Sequence, residues 1–229
     1  MAALAACELH VLRRVPRRAG YEALRLAVVE LGARGALTVD RGSTKLGLLL
    51  VPAMPSEPLD GALAALARAI GDAPVAPRAI GHTVAVEWDG PDAFVAAEIE
   101  PRLVDQGLVR SERRGPLREQ RLVRTADGED LVGRLEVQLQ VFDGPFRGWL
   151  KDDPAEASAF LNGCDLATML LAPGGAKLLA RYLRGGALDL LDEAIDAAAT
   201  IDGGWGGEGG GGWGDGGGGD GGGGGGDGS

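Results

Sequence analysis

The chain has 229 residues, a formal net charge of −10, 45% hydrophobic content and 4% aromatic content. Its last 27 residues, 203–229, hold 20 glycines and four acids (Glu208, Asp215, Asp220, Asp227) and cannot bury a core. The remaining 202 residues (229 less 27) suffice for one large or two small domains, and they carry −6, which disfavours a general phosphate-binding surface.

With few aromatics, the core falls to Leu, Val and Ala, which favours helix packing. Cys7 and Cys164 are isolated and match neither a disulfide framework nor a metal spacing. No signal-peptide pattern and no run of about 18 apolar residues occurs, so a soluble, cytoplasmic protein is expected.

Residues 3–14 read as a helix, broken at Val15-Pro16. Residues 21–34 are the strongest helix. Leu24, Ala27, Val28 and Leu31 make one face, while Glu22, Arg25 and Glu30 lie mostly away from it. Gly35 stops that helix, with Arg34 beside the negative end of its dipole. Residues 36–39 and 45–51 then form a hairpin around the turn residues 41–44.

A helix follows at 59–70, with Leu59, Leu63, Leu66 and Ile70 on one face and Ser56 as a cap candidate. Residues 71–80 are expected to be a loop, and 83–88 a short strand or the lead-in to the next helix. Residues 94–110 echo the helix and stop of the stretch that begins at Tyr21: Asp89 or Asp92 as cap, Val95, Ile99 and Leu103 as apolar positions, and a stop at Gly107. Gly35 and Gly107 lie 72 positions apart, which indicates two copies of one architecture. Pro101 is expected to kink the second helix or delay its start. Residues 108–124 form a second hairpin. Residues 125–129 read as a cap, 129–142 as a helix and 143–145 as a hinge. Further helices follow from Asp153, with a break at 163–165, and over 176–183 and 187–201.

The fold class is therefore mainly α with small β-hairpins. Tandem winged-helix-like units occupy 1–54 and 55–144, a C-terminal helical segment 145–202, and a disordered Gly-rich tail 203–229.

Chemistry-bearing residues are few. A winged helix that reads DNA presents basic or amide side chains on its recognition helix. The two candidates here offer Arg18 and Arg25 beside Glu22 and Glu30, and Arg102 beside Glu98, Glu100 and Asp105. Acid on those faces disfavours nucleic acid. The strongest basic run is Arg110, Arg113, Arg114, Arg118, Arg121 and Arg124, with Glu112 and Glu119 interleaved. It reads as a solvated hairpin. Its alternative role is contact with an anionic headgroup through Arg110, Arg113, Arg114 and Arg118. Arg13, Arg14, Arg17 and Arg18 form a smaller cluster. Cys7 and His10 resemble half of a zinc site, but no partner pair exists in the sequence. His82 near Glu87 and Asp89 lacks a nucleophile context. No catalytic residue, cofactor site or metal site is assigned. The expected protein is a non-enzymatic scaffold with a protein partner or a second copy of itself, and a membrane surface is the less favoured partner.

Two resemblances add to this. Residues 8–14, Pro16-Arg17-Arg18 and the helix to Arg34-Gly35-Ala36-Leu37-Thr38-Val39, together with the glycine tail, resemble an uncharacterised bacterial family. Its members are membrane-anchored, with winged-helix-like repeats and a glycine-rich C-terminus. The transmembrane segments of that family have no counterpart in this sequence, and it implies no activity. Pro58-Leu59-Asp60 and residues 103–112 are also similar to bacterial relatives of the Golgi phosphoprotein 3 family. That resemblance implies a helical fold and phosphoinositide binding at the membrane, with no headgroup residues matched here.

Deleting residues 203–229 is expected to leave the melting temperature nearly unchanged, because a glycine-rich segment cannot offset its ordering entropy. A fall of more than a few degrees in a thermal melt would show that Trp205 or Trp213 docks on the body.

Overall fold

The computed structural model describes residues 3–17, 19–40, 49–55, 57–113 and 120–175. These are mainly helical, with two antiparallel hairpins. The order is α1 (Ala6–Arg14), α2 (Gly20–Ala33), β1 (Leu37–Asp40), β2 (Leu49–Pro52), α3 (Gly61–Ile70) and α4 (Pro77–Trp88). Next comes one helical stretch made of α5 (Pro91–Phe94), a π-helical turn (Val95–Ile99) and α6 (Glu100–Asp105). The chain continues with β3 (Val109–Arg113), β4 (Gln120–Arg124), α7 (Ala126–Asp143), α8 (Pro145–Asp152), α9 (Pro154–Gly163) and α10 (Leu166–Leu171). The helices expected over 176–183 and 187–201, and the tail, lie outside the described residues.

One offset relates the two halves. Adding 72 to the bounds of α1, α2, β1 and β2 gives 78–86, 92–105, 109–112 and 121–124. These fall on α4, the α5–α6 stretch, β3 and β4. The strand registers follow the same rule: Val39 faces Leu50 in the first hairpin, and Ser111 faces Leu122 in the second.

The helix stops match as well. Gly35 (φ 73°) and Gly107 (φ 71°) both take the left-handed conformation. The next residue closes the helix each time: Ala36 N–H donates to Leu31 O (2.8 Å) and Leu108 N–H to Leu103 O (2.9 Å). This is the 6→1 bond of a Schellman stop, which satisfies a carbonyl the helix would otherwise leave open.

Several expectations need correction. Residues 83–88 are the last half of α4, not a strand. Pro77 opens that helix, in the first turn where its missing N–H costs nothing. Asp89 ends α4 in the left-handed region (φ 62°), and Gly90 precedes α5. Asp92 does not cap its own helix. Its Oδ1 accepts from Gly20 N–H (3.1 Å), 72 residues away at the start of α2. A Cβ at Gly20 would collide with Asp92 and Pro91, so glycine lets the two helix starts meet. The disturbance expected at Pro101 takes the form of the π-helical turn just before it. Proline has no N–H for the carbonyl four residues back, and its ring crowds that carbonyl, which a wider turn relieves.

Two apolar clusters lie on either side of α1. The first joins both halves, through Leu12, Leu24, Leu31, Leu50, Leu63, Ile80, Phe94, Ile99 and Leu108. The second sets Ala6 and Leu9 of α1 and Val29 of α2 against Leu135, Leu139, Phe142, Phe146 and Leu170. Phe142, Phe146 and Phe160 close it, with Phe142 edge-on to both others at 5.0–5.1 Å. Thr125 ties the second hairpin to α7. Its Oγ1 accepts from Gly128 N–H (3.2 Å) and donates to Gly107 O (2.6 Å). Asp153 and Asp165 cap α9 and α10 in the same way, by accepting from Glu156 N–H and Thr168 N–H.

The matched stops predict matched costs. Gly35→Val and Gly107→Val should each destabilise by about 1–2 kcal/mol, since a β-branched residue resists the left-handed conformation even in open space. Urea unfolding of the two variants checks this. A neutral Gly107→Val beside a damaging Gly35→Val would break the equivalence.

Candidate functional site

A group of ionisable side chains surrounds the N-terminus of α1, and its two glutamates are buried. A helix start leaves backbone N–H groups without partners, and here they lie in the core. Ala5, at the cap position, has no side-chain acceptor. Two glutamates act in its place. Glu8 reaches back so that its Oε2 accepts from Ala5 N–H (2.9 Å), and Glu30 of α2 accepts from Ala6 N–H (2.6 Å). The two residues are 1% and 0% exposed.

Each carboxylate has a guanidinium beside it. Arg34 donates to Glu30 Oε1 through Nε (3.0 Å) and NH2 (2.7 Å). Arg102 of α6 brings its Nε within 2.8 Å of Glu8 Oε1, and its NH2 within 3.3 Å of Asp60. Gly61, at φ 51°, leaves the room in which the Arg102 guanidinium lies. Glu30 is thus not on the polar side of α2 as its periodicity suggested. It lies on the Ala23–Ala27 side, where a carboxylate serves as a backbone acceptor.

Burial raises the Glu8 and Glu30 carboxyls above the ordinary range. The backbone donors and arginines pull the other way and only partly offset it. Cys7 beside them is fully buried. Burial, with the two carboxylates, holds its thiol well above the usual value, so it is a poor nucleophile. Among the described residues no group of three His, Cys, Asp or Glu is placed to hold a metal ion.

On the far side of α1 a cavity of about 320 Å³ opens between α1, α2 and the end of α10. His10, Arg13, Glu22 and Arg25 supply its polar wall, and Leu26, Val29 and Leu170 part of its apolar wall. Burial lowers the His10 pKa, and Arg14 adds to the effect. Its Nε2 has no hydrogen-bond partner among the described residues. Arg13 is held by both oxygens of Glu136 (2.6 and 3.2 Å), and Arg25 lies 3.5 Å from Glu22. The cations facing the cavity are therefore already paired. His82 is exposed on α4.

The hairpin arginines are dispersed. Arg110 is exposed and donates through Nε and NH2 to Glu112 (3.0 and 2.6 Å), two residues along on the same face. Arg121 stands across from Glu112 in the register. Arg124 bonds to Glu129 and to Arg13 O, which points it toward the body. Arg113 ends β3 opposite Gln120, while Arg114 and Arg118 lie outside the described residues. Arg14 and Arg17 are exposed, and Arg18 is also outside.

Among the described residues no helix is long and apolar enough to cross a membrane. No protein-family model, curated protein or solved structure matches the chain.

The buried carboxylates make a pH prediction. Their folded pKa values lie above the unfolded value of 4.5. The stability they contribute is therefore complete below pH 4.5 and is lost as pH rises through the folded values. His10 acts oppositely: its folded pKa lies below 6.5, so its contribution is present above pH 6.5 and lost on acidification. Glu30→Gln keeps an acceptor for Ala6 N–H and should flatten the decline above pH 4.5. Glu30→Ala orphans that N–H and Arg34 together and should cost about 3 kcal/mol or more. Denaturant titrations at several pH values measure both, and a steeper decline for Glu30→Gln would refute the assignment.

Proposed function

We propose that the protein is a non-enzymatic interaction module built on two winged-helix-like units. The burial of α2 carries this reading. In a nucleic-acid-reading winged helix, the helix before the hairpin is the one presented to the groove. Here α2 meets α1, α3, α5 and α10, and Ala23, Leu24, Ala27, Val28, Val29, Glu30 and Leu31 are all buried. The unit is spent on building a larger body, and base-reading side chains have no place on it. In the second unit the equivalent stretch carries Asp92, Glu98, Glu100 and Asp105, which would repel phosphates. The buried ionisable groups around Glu8 and Glu30 hold α1 in place and are not arranged to attack a substrate.

The test compares three partners for the full chain. Neither duplex DNA nor vesicles containing phosphatidylserine and phosphoinositide should bind at physiological salt. Cross-linking followed by affinity capture should recover one protein in stoichiometric amount, with full-length chain and with a chain lacking residues 203–229. Salt-sensitive vesicle binding that is lost in an Arg113→Glu, Arg114→Glu double variant would overturn this reading in favour of a headgroup binder.

A further inference from the structure

The strands β2 and β4 are equivalent, but their outer edges end differently. In the first hairpin Leu50 turns its N–H and C=O away from β1 and exchanges both with Val75. Leu50 N–H donates to Val75 O (2.8 Å), and Val75 N–H donates to Leu50 O (2.9 Å). Val75 arrives there because α3 stops after ten residues at Gly71 (φ 76°) and the chain runs on through Pro74. In the second hairpin the register sets Leu122 opposite Ser111 just as Leu50 faces Val39, so Leu122 turns the same two groups outward. The counterpart of Val75, 72 residues on, is Arg147, and that residue is inside α8. Eighteen-residue α7 carries the chain away, and Pro145 restarts a helix at once. Among the described residues no backbone group bonds the outward N–H and C=O of Leu122.

We propose that the outer edge of β4 is an acceptor for an extended, acidic segment of a partner polypeptide, which adds as a third strand with its central residue paired to Leu122. The first hairpin shows the geometry within the same molecule: one extended residue exchanging both backbone bonds with the edge. The acidic character follows from charge. The described strands β3 and β4 carry four arginines and one glutamate, a local +3 in a chain of −10, with Arg124 paired to Glu129. Exposed Arg121 neighbours Leu122 on the edge strand. Main-chain bonds would supply affinity and Arg121 selectivity, as in β-strand addition generally. This inference rests on the interaction reading above and names the partner's chemistry.

The probe is a capped heptapeptide, DEVTVED, titrated into isotope-labelled full-length chain, with amide shifts read by NMR. Shifts should concentrate on residues 120–124, and the Leu122 amide should gain protection from exchange. Leu122→Pro removes the outward N–H but no ladder bond to β3, a placement proline tolerates at an edge, and it should abolish binding. Arg121→Glu should weaken binding about tenfold and favour the charge-reversed peptide KRVTVRK, a readout that holds even if Leu122→Pro does not fold. Shifts outside the hairpin, or binding indifferent to both variants, would overturn the proposal. A captured protein partner that still binds the Arg121→Glu chain, with no peptide binding at the edge, sinks this inference and leaves the interaction reading standing. No peptide binding and no captured partner sinks both.

Discussion

The structure depends on how the buried start of α1 finds acceptors. A helix end can face water, or it can be satisfied from within the protein, and α1 has an apolar cluster on either side. With alanine at the cap, the unpaired N–H groups of Ala5 and Ala6 would cost a few kcal/mol in the core. Glu8 and Glu30 meet that need, and Arg102 and Arg34 make two buried carboxylates tolerable. The chain of dependence then extends outward. Arg102 brings α6 of the second half to α1 of the first and on to Asp60 before α3. One ionic arrangement thus links three parts of the sequence that share the larger apolar cluster.

The two halves keep the same backbone grammar while differing in what surrounds it. Their helix stops and strand registers superpose by number, and the differences lie in the flanks. After the first hairpin the chain makes a short helix and returns to the strand edge. After the second it makes a long helix and leaves to build the aromatic cluster of Phe142, Phe146 and Phe160. The second apolar cluster and the second hairpin's edge are two results of the same change in helix length.

Much of this was legible in the sequence. Gly35 and Gly107 gave away the stops, because a left-handed glycine after an apolar-periodic helix is a strong local signal. The hairpins and the caps at Thr125 and Asp153 were readable for similarly local reasons, whereas Asp165, which caps α10, read only as part of a break. Two features were not. Residues 83–88 contain Thr, two valines and Trp, and a short apolar run cannot declare its own period. The clue was the 72-residue offset itself, which sets them against α1. Glu30 was missed because α2 is buried around most of its circumference, so an apolar stripe does not mark its only inward face. The clue was its spacing of three and seven residues from Ala27 and Ala23, small residues that leave room for a carboxylate. The hairpin arginines form a cluster in the sequence, but their pairing with Glu112 and Glu129 depends on side-chain geometry and on the start of α7, which no local pattern states.

The position of α1 between the two clusters also bears on how the chain acquires its structure during synthesis. Ala6 and Leu9 meet Leu135, Leu139 and Leu170, more than 120 residues downstream. At about 5–20 residues per second, α1 is synthesised roughly 8–30 s before Leu170. Until residue 136 is made Arg13 lacks its partner Glu136, and one apolar side of the first helix has no native cover. The opposite side can close much earlier against α2 and α3. The N-terminal half is therefore held by its inner cluster alone until residues 135–170 have been made, and the nascent chain exposes a narrow strip of Ala6, Leu9 and Val29 in the meantime.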